Sequence, residues 1–202
     1  MDIFTKPLQD LAEYGEIISD IREGRTPAGI SGCLDSQKCH MICGIGDGFR
    51  AKLIITGTEE RARKIYEDYR VFDRDIFYYP AKDLIFYTAD IHSDLIVRRR
   101  MQCIGRLLTG ERVTVVCPVS ALYDAVLLPE ALEKHIFRIG TGDTVDTQEL
   151  SKRLASMGFP RAEQVSGRGE FAVRGGIIDV YSLTAEQPVR IELWGDEIDS
   201  IR

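Results

Sequence analysis

The chain is predicted to be a two-part α/β protein: a parallel sheet flanked by helices, then a smaller α+β unit with an antiparallel sheet. Three observations predict this. Short apolar runs alternate with helical patterns of roughly 10–15 residues up to about residue 125, the pattern of a parallel sheet. Beyond that point closely spaced, alternating strands take over. The length of 202 residues, at roughly 150 per domain, allows one to two domains. The expected division is 1–125 and 126–202.

Element by element, Leu8, Leu11, Tyr14, Ile18 and Ile21 recur at helical spacing, so 7–23 reads as an amphipathic helix. Pro7 suits its first turn and Gly24 its end. A small-residue stretch, Thr26-Pro-Ala-Gly-Ile-Ser-Gly-Cys33, leads to a short helix ending near Gly46. Lys52-Leu-Ile-Ile-Thr56 reads as a buried strand, and Ala62, Ile65, Tyr66 and Tyr69 mark the next helix. Ile76-Phe-Tyr-Tyr79 is a second strand stopped by Pro80. Val97, Met101, Ile104 and Leu108 mark a helix closed by Gly110, and Val113-Thr-Val-Val-Cys117 a third strand. In the second part, Asp146 and Glu149 form a D-x-x-E cap ahead of Leu150, Leu154 and Met157. Phe171 and Val173 alternate, as do Val189, Ile191 and Leu193, and Gly195-Asp196 has the form of a two-residue II′ turn.

Composition narrows the function. There are 26 Lys and Arg against 32 Asp and Glu, a net charge of −6. That argues against a nucleic-acid grip based on bulk charge. The hydrophobic share of 44% and charged share of 29% are those of a globular chain. The longest stretch free of ionisable acids and bases, 113–123, is far short of the ~20 apolar residues that span a membrane. The N-terminus lacks the basic-then-apolar order of a signal peptide, so a cytoplasmic protein is expected. Five scattered cysteines suggest reduced thiols. Cys39, His40 and Cys43 lack the two further ligands a zinc site needs, so no metal site is expected.

One stretch imitates a phosphate-binding loop. In Gly29-Ile-Ser-Gly-Cys-Leu-Asp-Ser36, Gly29 and Ser36 fit the first and last slots of G-x-x-x-x-G-K-S/T. Leu34 occupies the second glycine slot and Asp35 the lysine slot. Glycine admits phosphate close to the backbone and lysine neutralises it; a carboxylate repels it. The loop is therefore expected to be non-functional, a plain helix start with Ser31 or Asp35 as cap. Asp196-Glu197 follows a hairpin glycine and reads as solvated turn charge rather than a metal pair.

A surface patch is the remaining candidate. On the strand 189–194, Val189, Ile191 and Leu193 point one way, and Arg190, Glu192 and Trp194 the other. In the preceding strand Phe171 and Val173 face inward and Arg174 outward, and Gly175-Gly176 is expected to bulge it. If these strands pair, Arg174, Arg190 and the single Trp share an exposed face, in residue types enriched at binding hot spots. The alternative is Trp194 packed under a loop or helix, with the arginines solvated. Arg98-Arg99-Arg100 spans ~300° of a helix, so it forms no single basic stripe and at least one arginine must lean on a neighbour.

These residues resemble a known family. Gly169-Glu-Phe-Ala-Val-Arg-Gly-Gly-Ile-Ile-Asp-Val-Tyr181 and Val189-Arg-Ile-Glu-Leu-Trp-Gly-Asp-Glu-Ile-Asp-Ser-Ile-Arg202 closely resemble transcription-repair-coupling factors and, more distantly, UvrB. The stretches 78–84, 87–93 and 115–123 fit the same module, while the part before Cys43 matches weakly. The resemblance implies a degenerate UvrB-like domain at 1–125, without a working ATP site, and a UvrA-binding domain at 126–202. It implies a non-catalytic adaptor that recruits UvrA for nucleotide excision repair at stalled RNA polymerase. The full-length protein it implies is an ATP-dependent DNA translocase. ATP and magnesium, and the contacts to RNA polymerase and DNA, belong to regions expected outside this chain, so no cofactor is expected here. UvrB's tyrosine-rich DNA-handling insertion is expected to be absent between Tyr79 and His92. The family's UvrA-contacting positions fall on Arg161, Arg174, Arg190 and Trp194, where many relatives carry Phe in the last slot. The family also returns to its first domain after this point, which predicts an incomplete first sheet with exposed apolar surface. The competing reading is an active P-loop nucleotide hydrolase or nucleic-acid remodeller. A small-molecule α/β enzyme has no support beyond fold analogy.

Overall fold

The computed structural model describes residues 5–82 and 90–202. The chain divides into two compact units, 1–125 and 126–202. Part of the resemblance noted above falls on residues 83–89, outside the described residues.

The first unit contains a parallel three-stranded sheet: β1 (Ala51–Thr56), β2 (Ile76–Tyr78) and β3 (Val113–Pro118), in the order β1-β3-β2. Helices α1 (Ala12–Arg22) and α2 (Asp35–Ile45) precede the sheet. Helix α3 (Glu59–Tyr69) links β1 to β2, and α4 (Asp90–Thr109) links β2 to β3. Central β3 is buried from end to end, which is why it is a continuous apolar run rather than an alternating one. Residues of α2 and α3, among them Cys39, Cys43, Ala62 and Tyr69, cover one face against Ile76, Tyr78 and Val116. Cys103 and Ile104 of α4 cover the other against Val113, Val115 and Cys117. Four of the five cysteines are therefore small core residues. Burial pushes the Cys103 thiol up to about 12. No metal-ligand cluster occurs among the described residues.

Charge is also used inside this unit. Lys52 donates to Asp73 at 3.0 Å and to the Tyr69 hydroxyl at 3.1 Å. Thr114, the polar residue of β3, donates to the same carboxylate at 2.9 Å. Within the arginine run, Arg100 is the one that turns inward. It is 5% exposed, pairs with Asp124 at 2.7 Å, donates to the Pro80 carbonyl at 2.9 Å and lies over the Tyr79 ring. On β1, Leu53 and Ile55 stay 56% and 51% exposed, so apolar surface is left uncovered on this edge strand.

The expected helix over 7–23 is broken. A 3-10 turn, Lys6–Asp10, comes first, and Leu11 is extended (φ −91°, ψ 119°) before α1 begins. Leu8 is buried as an anchor, whereas α1 buries no residue. Helical spacing in sequence does not tell a buried face from a half-exposed one.

The second unit holds a short helix α5 (Pro129–Glu133), helix α6 (Thr147–Ser156) and a four-stranded antiparallel sheet. Its strands are β4 (Phe171–Arg174), β5 (Ile177–Val180), β6 (Val189–Trp194) and β7 (Glu197–Ile201), paired in chain order. The Asp146 side chain caps α6, accepting from the N–H groups of Gln148 and Glu149 at 2.7 and 3.1 Å. Leu150 and Leu154 of that helix meet Phe171, Ile178, Ile191 and Ile198, one from each strand. Both sheet edges are covered: 142–145 pairs along β7, and 160–162 along β4. No helix among the described residues is long and apolar enough to cross a membrane.

Two sheet expectations are corrected. Gly175-Gly176 is the two-residue turn of the β4–β5 hairpin, with Arg174 paired to Ile177; the bulge lies instead between Glu192 and Leu193. Consequently β5 stands between β4 and β6, which do not pair directly. Gly175 has φ +59° and Gly195 has φ +64°, while no described non-Gly residue has positive φ. A positive φ at the first central position alone is the II′ pattern, expected above for 195–196.

Candidate partner-binding face

The register of the second sheet builds the site. The unbroken registers of β4 with β5 and of β5 with β6 put Phe171, Ile178 and Ile191 on the core face. Arg174, Asp179, Arg190 and Glu192 occupy the opposite face, and Trp194 joins them because its neighbour Leu193 packs on the core. Asp179 is at its centre, in β5 between the two arginine-bearing strands, directly opposite Arg190.

Its carboxylate holds both arginines. Arg190 donates from Nε to Oδ1 at 2.7 Å and from Nη2 to Oδ2 at 3.0 Å, a bidentate pair. Arg174 adds a bond from Nη2 to Oδ2 at 3.1 Å. Asp179 is buried beneath the two guanidinium groups, which stay substantially exposed. The Arg190 hydrogen bond, reinforced by Arg174, holds the Asp179 carboxyl below its usual range despite burial. Two cations thus share one anion, and the cluster keeps a net positive charge. A shallow pocket of about 390 Å³ opens beside it, bordered by Val165, Pro188 and Arg202.

Glu192 offsets Arg190 only through space, without a hydrogen bond to it. It is tied to Arg202 and accepts from the Ser200 hydroxyl at 2.9 Å. Trp194 is 85% exposed at the end of β6, about 13 Å along the strand from Arg190 at ~3.3 Å per residue. A large indole standing in solvent on the same face as a cationic pair is the composition of a protein-binding hot spot. Arg161 is set apart. It lies on the segment along the outer edge of β4 and donates to the Val173 carbonyl at 3.4 Å. The structure therefore gathers Arg174 and Arg190 on Asp179, adds Trp194 on the same face, and leaves Arg161 at the rim.

Sequence reasoning missed Asp179. The available signal was the Gly-Gly pair. Once it is read as a two-residue turn, Ile178 and Val180 must face inward and Asp179 outward, diagonal to Arg174.

The loop at 29–36 takes a different form from a phosphate loop. No strand precedes it among the described residues; α1 and an exposed coil do. Gly29 is exposed in that coil. Leu34, not Ser31 or Asp35, is the N-cap of α2. Lacking a side-chain acceptor, Leu34 acts through its backbone: its N–H donates to Gln37 Oε1 at 2.9 Å and its carbonyl accepts from the Lys38 N–H at 3.0 Å. Ser36 follows as the second residue of the helix. Asp35, its first residue, is engaged by Lys38, Arg61 and Lys64 at 3.0, 3.2 and 3.5 Å.

Comparison with known proteins agrees with this architecture. Residues 137–202 match the family model described as the UvrB interaction domain. Over its whole length the chain is 32% identical to the transcription-repair-coupling factor of Bacillus subtilis (strain 168), covering 17% of that protein. It is 34% identical over 168 residues to UvrABC system protein B of Thermotoga maritima, covering 75% of this chain and 25% of the relative. The transcription-repair-coupling factor of Staphylococcus aureus (strain USA300) is 32% identical over 152 residues, 13% of its length. The chain thus spans a quarter or less of the relatives it matches. Residues 137–202 are thus matched as a UvrB interaction domain, and over its full length the chain is similar to a portion of transcription-repair-coupling factors and, over three quarters of it, to UvrABC system protein B.

Proposed function

We propose that this chain is a non-catalytic adaptor module of nucleotide excision repair whose second unit binds UvrA. Arg174, Arg190 and Trp194 form the contact surface and Arg161 its rim. The observation that carries this reading is the outward face of the second sheet: two guanidinium groups preorganised on one buried carboxylate, with an exposed Trp on the same face. Such a face suits an acidic partner surface with an apolar pocket for the indole. In the full-length protein, RNA polymerase, DNA, ATP and magnesium are handled by other regions, and the translocase activity is theirs. The working place is the cytoplasm, with no membrane partner.

The test is UvrA capture on an immobilised chain. Trp194→Ala is expected to weaken binding by at least about 2 kcal/mol, roughly thirtyfold in Kd. Arg174→Glu is expected to abolish capture at the same UvrA concentration. Parental affinity in both variants would remove the site assignment. Calorimetric titration with ATP is expected to give no saturable heat.

A further inference from the structure

Lys38, Arg61 and Lys64 converge on a single acceptor, the Asp35 carboxylate, although they come from two different helices. Arg61 and Lys64, three apart on α3, share a face and reach across to α2. Beside them is an open cavity of about 590 Å³, floored by Gly57 and Thr58 and also bordered by Glu60 and Asp68. All four paired side chains remain solvent-accessible, so water or a solute reaches the cluster freely. Three like charges brought together repel one another and need a shared anion.

We propose that Asp35 is the resident occupant of an oxyanion site: its carboxylate stands where a phosphate group would bind to Lys38, Arg61 and Lys64. Both ligands present a small, delocalised negative charge on oxygens, and Lys and Arg donate to either. Charge bookkeeping supports a compact ligand. Lys38, Arg61 and Lys64 balance Asp35, Glu60 and Asp68 around the cavity, so the parental site has no net attraction for a further anion. Removing the Asp35 charge leaves one net positive charge around the cavity and, in Asp35→Asn, a single neutral amide oxygen for three cationic donors. Inorganic phosphate, a single group of carboxylate-like reach, then suits the site better than a triphosphate, which Glu60 and Asp68 oppose.

The experiment is a titration of the 202-residue chain with inorganic phosphate, followed by backbone amide NMR shifts at positions 35–38 and 58–64. Asp35→Asn is expected to show saturable shifts confined to those positions, with a Kd at least about tenfold below the parent's. Adding Arg61→Gln and Lys64→Gln to that variant is expected to return it to parental behaviour. Phosphate affinity equal in Asp35→Asn and the parent overturns the assignment, as does affinity that survives loss of Arg61 and Lys64. If Asp35→Asn does not fold, Asp35→Ala carries the same expectations. Capture of UvrA by the second unit is a separate property, expected to be unchanged in Asp35→Asn, so the two readings fail independently.

Discussion

At the residue scale, two aspartates organise the two units in different ways. Asp73 is partly buried and serves the fold. Burial alone raises its carboxyl, but hydrogen bonds from Lys52, Thr114 and the Asp75 N–H, with the Lys52 charge, outweigh that and hold it low. A carboxylate held low in the folded state adds stability that is complete above its unfolded pKa of about 4 and is lost as pH falls through the folded value. Urea midpoints are therefore expected to be level from about pH 8 to pH 5 and to drop below about pH 4. Lys52→Met strands the partly buried carboxylate, which keeps only its bonds from Thr114 and the Asp75 N–H, and is expected to cost about 2–3 kcal/mol at neutral pH, read from the same denaturation curves. Asp179 serves the surface. Asp179→Asn removes the negative charge and one of the two acceptor oxygens that align Arg174 and Arg190, with an expected stability loss of about 1 kcal/mol. Its larger effect is expected on UvrA capture, because two uncompensated guanidinium groups no longer hold one geometry. Unchanged capture in this variant would show that the partner does not read the arginine pair.

At the element scale, turns decide which residues meet. Gly176 ends the β4–β5 turn so close to β6 that a Cβ there would lie 2.9 Å from the Leu193 carbonyl oxygen. The neighbouring backbone is also bonded, Leu193 N–H to Gly176 carbonyl at 2.7 Å. Backbone cannot swing aside as a flexible side chain can. Gly176→Ala is therefore expected to cost about 1–3 kcal/mol in urea denaturation and to disturb the bulge beside Trp194. Gly48→Ala, where a Cβ meets nothing within 4 Å, is the matched control and is expected to be nearly neutral. The sequence made the Gly-Gly pair visible but not its role. A bulge and a turn both use glycine, and only the count of paired residues on either side tells them apart.

At the scale of the whole molecule, each unit has its own core. In the second, Leu150, Leu154, Phe171, Ile178, Ile191 and Ile198 pack within 126–202, and both sheet edges are covered by its own chain. Residues 126–202 produced alone are therefore expected to unfold in one cooperative transition. A non-cooperative melt with dye-binding apolar surface would contradict that. In the first unit, Leu53 and Ile55 on β1 keep a strip of apolar surface that its own helices do not cover.

Much of this was legible in the residues themselves. Short apolar runs marked the parallel strands, period-2 alternation marked β4 and β6, and period-3.6 spacing most helices, because local burial imposes those patterns on any chain. The D-x-x-E cap of α6 and the Gly195 turn were readable for the same reason: their chemistry is completed within a few residues. The misfit of Asp35 in a phosphate loop needed no coordinates either. What only the folded chain decided is long-range pairing. The insertion of β5 between β4 and β6 put Asp179 under Arg174 and Arg190. The approach of α3 to α2 set Arg61 and Lys64, from far along the sequence, on Asp35. Contacts between distant segments depend on register and packing of the whole sheet, and no local pattern encodes which charge will meet which.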